Sequence, residues 1–282
     1  MWQLRTGNLE LIFIKKAVLS SRFSVLSNGF AENLMYIEFH ARSAFSFLEG
    51  ASLPESLIET CANLGMPAMA LLDRDGVYGA PRFYMAAKRA GIKAHIGAEI
   101  NCENFSIRNC QFAIGQQISK PRIGNQKSKI ENSFRLPLLV SSRAGYQNLC
   151  RLTTKMKLRA KKDEGAVRED ELREHAAGLV CLTGGDNGPL SLALARGDNT
   201  EARQSVECLA DIFGRENVYV ESQRHFHREQ EARNHAAIEI ARSLQLPLLA
   251  TNGVCYATPR ERELCDAFTA IRNHCTLATA GR

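Results

Sequence analysis

Acidic and imidazole side chains stand just beyond short apolar runs at several places along the chain. His40-Ala41-Arg42-Ser43 follows the run Tyr36 to Phe39, and Phe45-Ser46-Phe47-Leu48-Glu49-Gly50 comes soon after. Asp73-Arg74-Asp75-Gly76 follows Met69 to Leu72, Glu99 closes Gly97-Ala98-Glu99, and Arg135 precedes Leu136 to Val140. Glu221 and then His225-Phe226-His227 follow Val218 to Val220. Thr251-Asn252-Gly253-Val254-Cys255 follows Leu248 to Ala250. Carboxylates and imidazoles brought to one place are the ligand chemistry of a Zn²⁺ or Mn²⁺ cluster that activates water on a phosphoester. They meet only if the apolar runs are strands of one sheet whose C-terminal ends form a common rim.

The pattern between these runs supplies such a sheet. Strands are expected at 36–39, 69–72, 93–100, 136–140, 179–182, 218–220 and 248–250. Helical periodicity fills the intervals, notably 80–90, 146–158, 201–213, 229–244 and 261–272. Ser52 with Glu55 predicts a capping box, with Pro54 in the first turn of a helix that stops at Gly65. Regular alternation of strand and helix argues a parallel sheet, and this many units argue a closed or nearly closed α/β barrel. The other arrangement is an open doubly wound sheet, which lacks a GxGxxG after its first strand here.

Composition narrows the classes. Of 282 residues, 45% are hydrophobic and 23% charged, with a net charge of +6. The mild basic excess permits contact with nucleic acid but supplies no dense basic stripe. The most basic stretch, Lys155 to Lys162, reads as a solvated helix end. Nine cysteines without a CxxC pair fit a reduced cytoplasm better than a disulfide framework or structural zinc. No apolar run reaches the roughly 18 residues that span a bilayer. Residues 1–34 read as an extension before a domain at 35–260. The polar stretch 102–134 reads as a surface insertion, and 261–282 as the start of a connection onward. His95 fits a core or edge position. His175, His235 and His274 fit the surface, and His227 fits a helix cap. Cys255 fits a buried free thiol, and Gly184 to Gly188 fits a strand-to-helix turn.

The stretches His40 to Gly50, Asp73 to Gly79 and Gly97-Ala98-Glu99 resemble the opening of a PHP (polymerase and histidinol phosphatase) domain. Gly145-Tyr146-Gln147-Asn148-Leu149 resembles a segment of C-family DNA polymerase alpha subunits, as do Leu179 to Gly185 and Leu248 to Asn252. Gln223-Arg224-His225-Phe226 with Arg228 to Glu231 is similar to the error-prone branch. The resemblance runs in family order from Tyr36 to the C-terminus. It implies a PHP-type distorted (β/α)7 barrel at the N-terminal end of an error-prone polymerase. It also implies DNA and downstream polymerase domains as partners, other replication or repair proteins as possible ones, and no membrane.

The departures from the family pattern concern the metal ligands. Where the pattern has His-x-His the second position is Arg42, the following carboxylate is Glu49, and Asp-His becomes Asp73-Arg74. A further histidine falls on Arg135, and Asp-x-His becomes Gly253-Val254-Cys255. His40, Glu49, Asp73, Glu99 and His225 remain at ligand positions. Arginine stays protonated and has no lone pair for a metal. The expectation is therefore that Arg42, Arg74 and Arg135 pair with Glu49, Asp73 and Glu99 where metal ions would sit. No cofactor and no catalytic residue is expected. The alternative is one Zn²⁺ or Mn²⁺ held by His40, Asp73, Glu99 and His225. Mg²⁺ belongs to the polymerase core, which this chain is expected to lack.

Overall fold

Seven strands pair side by side in chain order. They are β1 (Glu38–Ala41), β2 (Ala68–Arg74), β3 (Lys93–Glu103), β4 (Ser133–Val140), β5 (Leu179–Leu182), β6 (Val218–Gln223) and β7 (Leu248–Thr251). The computed structural model describes residues 36–104, 133–161 and 164–279. The expected extension at 1–34 and most of the expected insertion lie outside them. Arg42 N donates to Val254 O (2.8 Å) and Asn252 N to Glu38 Oε2 (2.9 Å), so the segment after β7 returns to β1. The result is a nearly closed, distorted seven-stranded barrel.

The sheet is not wholly parallel, as alternation alone suggests. β4 runs antiparallel to both β3 and β5, and the other four pairs are parallel. The reason is connectivity. A parallel neighbour needs a crossover to the far end of the sheet, whereas an antiparallel one starts where its predecessor stops. β4 therefore brings its first residues, not its last, to the rim formed by the C-terminal ends of the others. The ladder runs from Gly97 opposite Leu139 to Glu103 opposite Ser133. Cys102, Glu103, Ser133 and Phe134 are thus ladder residues rather than insertion.

The helices pack outside: α1 (Pro54–Asn63), α2 (Ala80–Ala90), α3 (Arg143–Arg159), α4 (Glu169–His175), α5 (Pro189–Ala195), α6 (Asn199–Phe213), α7 (Arg228–Leu244) and α8 (Arg262–Arg272). Strand periodicity of two divides the core. Ile37, Phe39, Ala70, Leu72, Leu139, Val180, Leu182, Tyr219 and Leu249 fill the interior. Met69 and Leu71 instead meet Leu57, Ile58 and Phe83 of α1 and α2. Ile100, Leu136, Leu138 and Val220 join the larger cluster under the remaining helices.

Three local expectations are corrected. Leu53, not Ser52, holds the N-cap of α1, and no side chain caps it. Ser52 Oγ instead donates to Glu261 Oε2 (2.8 Å) and accepts from Ala257 N (2.6 Å), because the returning C-terminal segment competes for the same hydroxyl. His227 occupies the N-cap of α7 without a side-chain bond. His175 is buried, since short α4 turns it and Leu172 inward. Lys155 and Arg159 of the basic stretch meet Glu174 and Glu171. Among the described residues, no helix is long and apolar enough to cross a membrane.

Candidate functional site

The rim is built in two layers. The deeper one centres on His40. A register shift between Glu38 and Ala41 breaks strict alternation, so Phe39 and His40 both reach the interior. His40 Nδ1 lies 2.7 Å from Glu221 Oε1, and Nε2 lies 3.5 Å from Glu99 Oε1. Gln223 Nε2 donates to Glu221 Oε1 at 2.9 Å, and the Thr251 hydroxyl donates to the same oxygen. Gln223 fills the space between Gly185 and Gly253. A Cβ at either glycine would come within 2.9 Å of its amide. Burial disfavours a charged imidazole, but Glu221 and Glu99 outweigh it and hold His40 protonated, its pKa pushed up to about 10. Burial would likewise raise Glu221, and His40 overrides it downward.

The outer layer is ionic. Glu49 comes from the loop between β1 and α1, whose chain folds so tightly that a Cβ at Gly50 would stand 2.0 Å from Ser43 O. The loop returns its carboxylate over the barrel mouth. Arg135, at the start of reversed β4, donates to Glu49 through Nη1 (2.6 Å) and Nη2 (2.8 Å). Arg74 Nη1 donates at 2.9 Å, and Arg42 and Arg272 approach Glu49 at 3.8 and 3.7 Å. Arg42 also reaches Glu99, its Nε 3.2 Å from Oε2 and its Nη2 3.3 Å from Oε1. The side chains of Glu49 and Glu99 are 0% and 3% exposed. Burial would raise both carboxyls. For Glu99, Arg42, His40 and Arg135 hold it well below the usual range, and for Glu49, Arg135, Arg74 and Arg42 turn the shift downward.

The structure gathers some expected residues and separates others. His40, Glu49, Glu99, Arg42, Arg74 and Arg135 converge. Asp73 does not meet an arginine side chain. Its position alternates with Arg74, so it faces the helix side, where it accepts Ser43 N (2.8 Å), Ser43 Oγ (2.9 Å) and Ser46 Oγ (2.9 Å). His225 lies on the loop after β6. Its ring contacts Asn252 O and the Gln230 side chain, both at 3.0 Å, away from the cluster. Cys255 is half-buried with Sγ 4.0 Å from Arg42 Nη1, and Gly253 flanks Gln223. Buried His95 packs on Phe39, and burial beside Lys93 lowers its pKa to about 4. Glu38, Ser43, Ser46 and Arg272 escape sequence reasoning. Glu221 was visible at a strand end, but nothing marked it as the partner of His40.

A divalent cluster does not fit these residues as arranged. The carboxylates of Glu49 and Glu99 face guanidinium groups. Among the described residues, no three His, Cys, Asp or Glu side chains are grouped to hold an ion.

The DNA polymerase III subunit alpha of Vibrio cholerae is 30% identical over 243 residues, covering 86% of this chain and 19% of that protein. The error-prone DNA polymerase of Nocardia farcinica is 34% identical, covering 84% of this chain and 23% of that protein. That of Anaeromyxobacter is 36% identical, covering 88% and 19%. The chain therefore spans about a fifth of the length of these relatives. The model of the PHP domain family matches residues 38–225. The chain belongs to the PHP domain family and corresponds to the N-terminal region of DNA polymerase III alpha subunits and error-prone polymerases.

Proposed function

We propose that this barrel is the non-catalytic PHP domain of an error-prone polymerase, serving replication and damage-induced repair synthesis in the cytoplasm. Its partners are then the polymerase domains that follow it in relatives, and DNA held by the whole assembly. Residues 35–260 form the barrel, and 261–282 begin the connection, although Arg272 turns back to the rim. The carrying observation is the seat of Glu49 under Arg135 and Arg74, with Arg42 bridging towards Glu99. Fixed cations in a low-dielectric mouth repel divalent ions and occupy the oxygens those ions require.

One observation favours a residual single ion instead. His40 Nε2, Glu99 Oε2 and Glu221 Oε2 are buried without a hydrogen-bond partner. Elemental analysis of protein purified without chelator separates the readings. Well under one equivalent of zinc or manganese is expected, together with no metal-dependent cleavage of single-stranded DNA. Stoichiometric metal, or cleavage that survives repurification, defeats the proposal.

A further inference from the structure

We propose that Cys255 and Cys265 are a modification site for a peroxide, which joins them in a reversible disulfide between the barrel mouth and α8. Both thiols are free and half-buried, so a small oxidant reaches them. Two chains of contacts bring them to one place. Cys255 O accepts Ala51 N (2.8 Å), and the next residue, Ser52, donates to Glu261 Oε2 (2.8 Å). Cys255 Sγ lies 4.0 Å from Arg42 Nη1, which is 3.8 Å from Glu49 Oε2, and Arg272 comes within 3.7 Å of Glu49 Oε1. Glu261, Cys265 and Arg272 follow one another at spacings of four and seven residues, which sets them on one stripe of α8 and the turn that opens it. The stripe meets the barrel at Ser52 and approaches it at Glu49. Cys265, between its ends, therefore faces the segment that carries Cys255, while its neighbour Leu264 turns outwards at 44% exposure. The electrostatics agree. Burial holds the Cys265 thiol above its usual pKa, Cys255 and Asp266 add to that, and Arg272 and Arg42 oppose it.

The chemistry takes two steps. Arg42 sets a fixed cation beside Cys255, whereas burial quiets Cys265, so Cys255 reacts first. Its sulfur attacks one peroxide oxygen, an S–O bond forms, and the O–O bond breaks. The second oxygen leaves as water with the thiol proton. The Cys265 sulfur then attacks the Cys255 sulfur, the S–S bond forms, and the S–O bond breaks. The hydroxyl leaves as a second water with the Cys265 proton, so two electrons pass from the sulfurs to the peroxide. Only Ala270 of α8 is fully buried, so the helix is lightly seated and can make the small shift that disulfide geometry requires. Once joined, α8 is pinned beside the mouth until a dithiol releases it.

The test treats the whole 282-residue chain with hydrogen peroxide, alkylates the remaining thiols and maps unreduced peptides by mass spectrometry. Loss of two of the nine thiols is expected, with a peptide linking Cys255 to Cys265 that dithiothreitol removes. Cys265→Ser should abolish the link and leave a sulfenic acid on Cys255 that dimedone traps, whereas Cys275→Ser should leave the link intact. Amides of Arg262–Arg272 should exchange hydrogen more slowly after oxidation and recover on reduction. If Cys265→Ser does not fold by circular dichroism, the peptide map of the parent decides alone. Both thiols still reduced, either one linked to another cysteine, a bond between two chains, or an equal yield from the urea-unfolded chain each overturn the proposal.

Discussion

The two layers of the rim neutralise buried carboxylates in different ways. In the deep layer, Glu221 is held by an imidazole, a hydroxyl and an amide, groups packed to shape against glycines. In the outer layer, Glu49 and Glu99 are held by guanidinium groups on long, adaptable stems. An imidazole gives up its charge within the accessible pH range, whereas a guanidinium does not. The deep layer should therefore be sensitive to alkali, and the outer one to acid alone.

The largest test of that contrast is Glu49→Gln. Removing the carboxylate leaves several cations facing one another in a sheltered mouth, and a loss of about 3–5 kcal/mol is expected by chemical denaturation. A loss under about 1 kcal/mol would mean that the outer layer is ornamental. The next test uses pH. The pKa of His40 rises from 6.5 to about 10 on folding, so its contribution is full below 6.5 and fades as pH rises through about 10. The carboxyls of Glu49 and Glu99 are lowered from 4.5, so theirs is present above 4.5 and fades as acid protonates the folded state. Stability measured against pH should fall on both sides, and His40→Gln should flatten the alkaline limb and also weaken the acid limb, because His40 helps hold Glu99 and Glu221 low. If the alkaline limb is unchanged, the deep layer has been misassigned.

A smaller effect sharpens the comparison at Asp73. Ser46→Ala removes one bond to a buried carboxylate, which Ser43 still contacts, and should cost about 1–2 kcal/mol by chemical denaturation. The smallest effect is expected from Arg272→Ala. Its partly exposed, distant ion pair is worth about 0–1 kcal/mol, measured as a shift in denaturation midpoint.

Much of this arrangement is legible in the sequence. Apolar runs placed all seven strands, and Arg42, Arg74 and Arg135, read as partners of the rim carboxylates, meet Glu49 or Glu99. What stays hidden depends on partners distant in the chain. The direction of β4 is absent from its own alternation, because a strand reads the same hydrophobic pattern forwards and backwards. The assignment of Asp73 to an arginine fails because alternation along β2 turns it outwards while Arg74 points inwards. Ser43 and Ser46 carry no distinguishing signal, since serine is common in loops. Ser52 looked like a cap until Glu261, far along the chain, competed for it. His225 is close in sequence to Glu221, yet the strand ends before it and the loop carries it outside.

The reversal of β4 also decides where this architecture tolerates novelty. Glu103 and Ser133 face each other across one ladder, so the chain between them leaves and re-enters at a single doorway beside Arg135 and Glu49. Closure cost grows only slowly with the length of such a detour. Residues can be gained or lost there without rethreading a strand or shifting a neighbour. New chemistry grafted at that doorway would arrive already positioned over the mouth of the barrel.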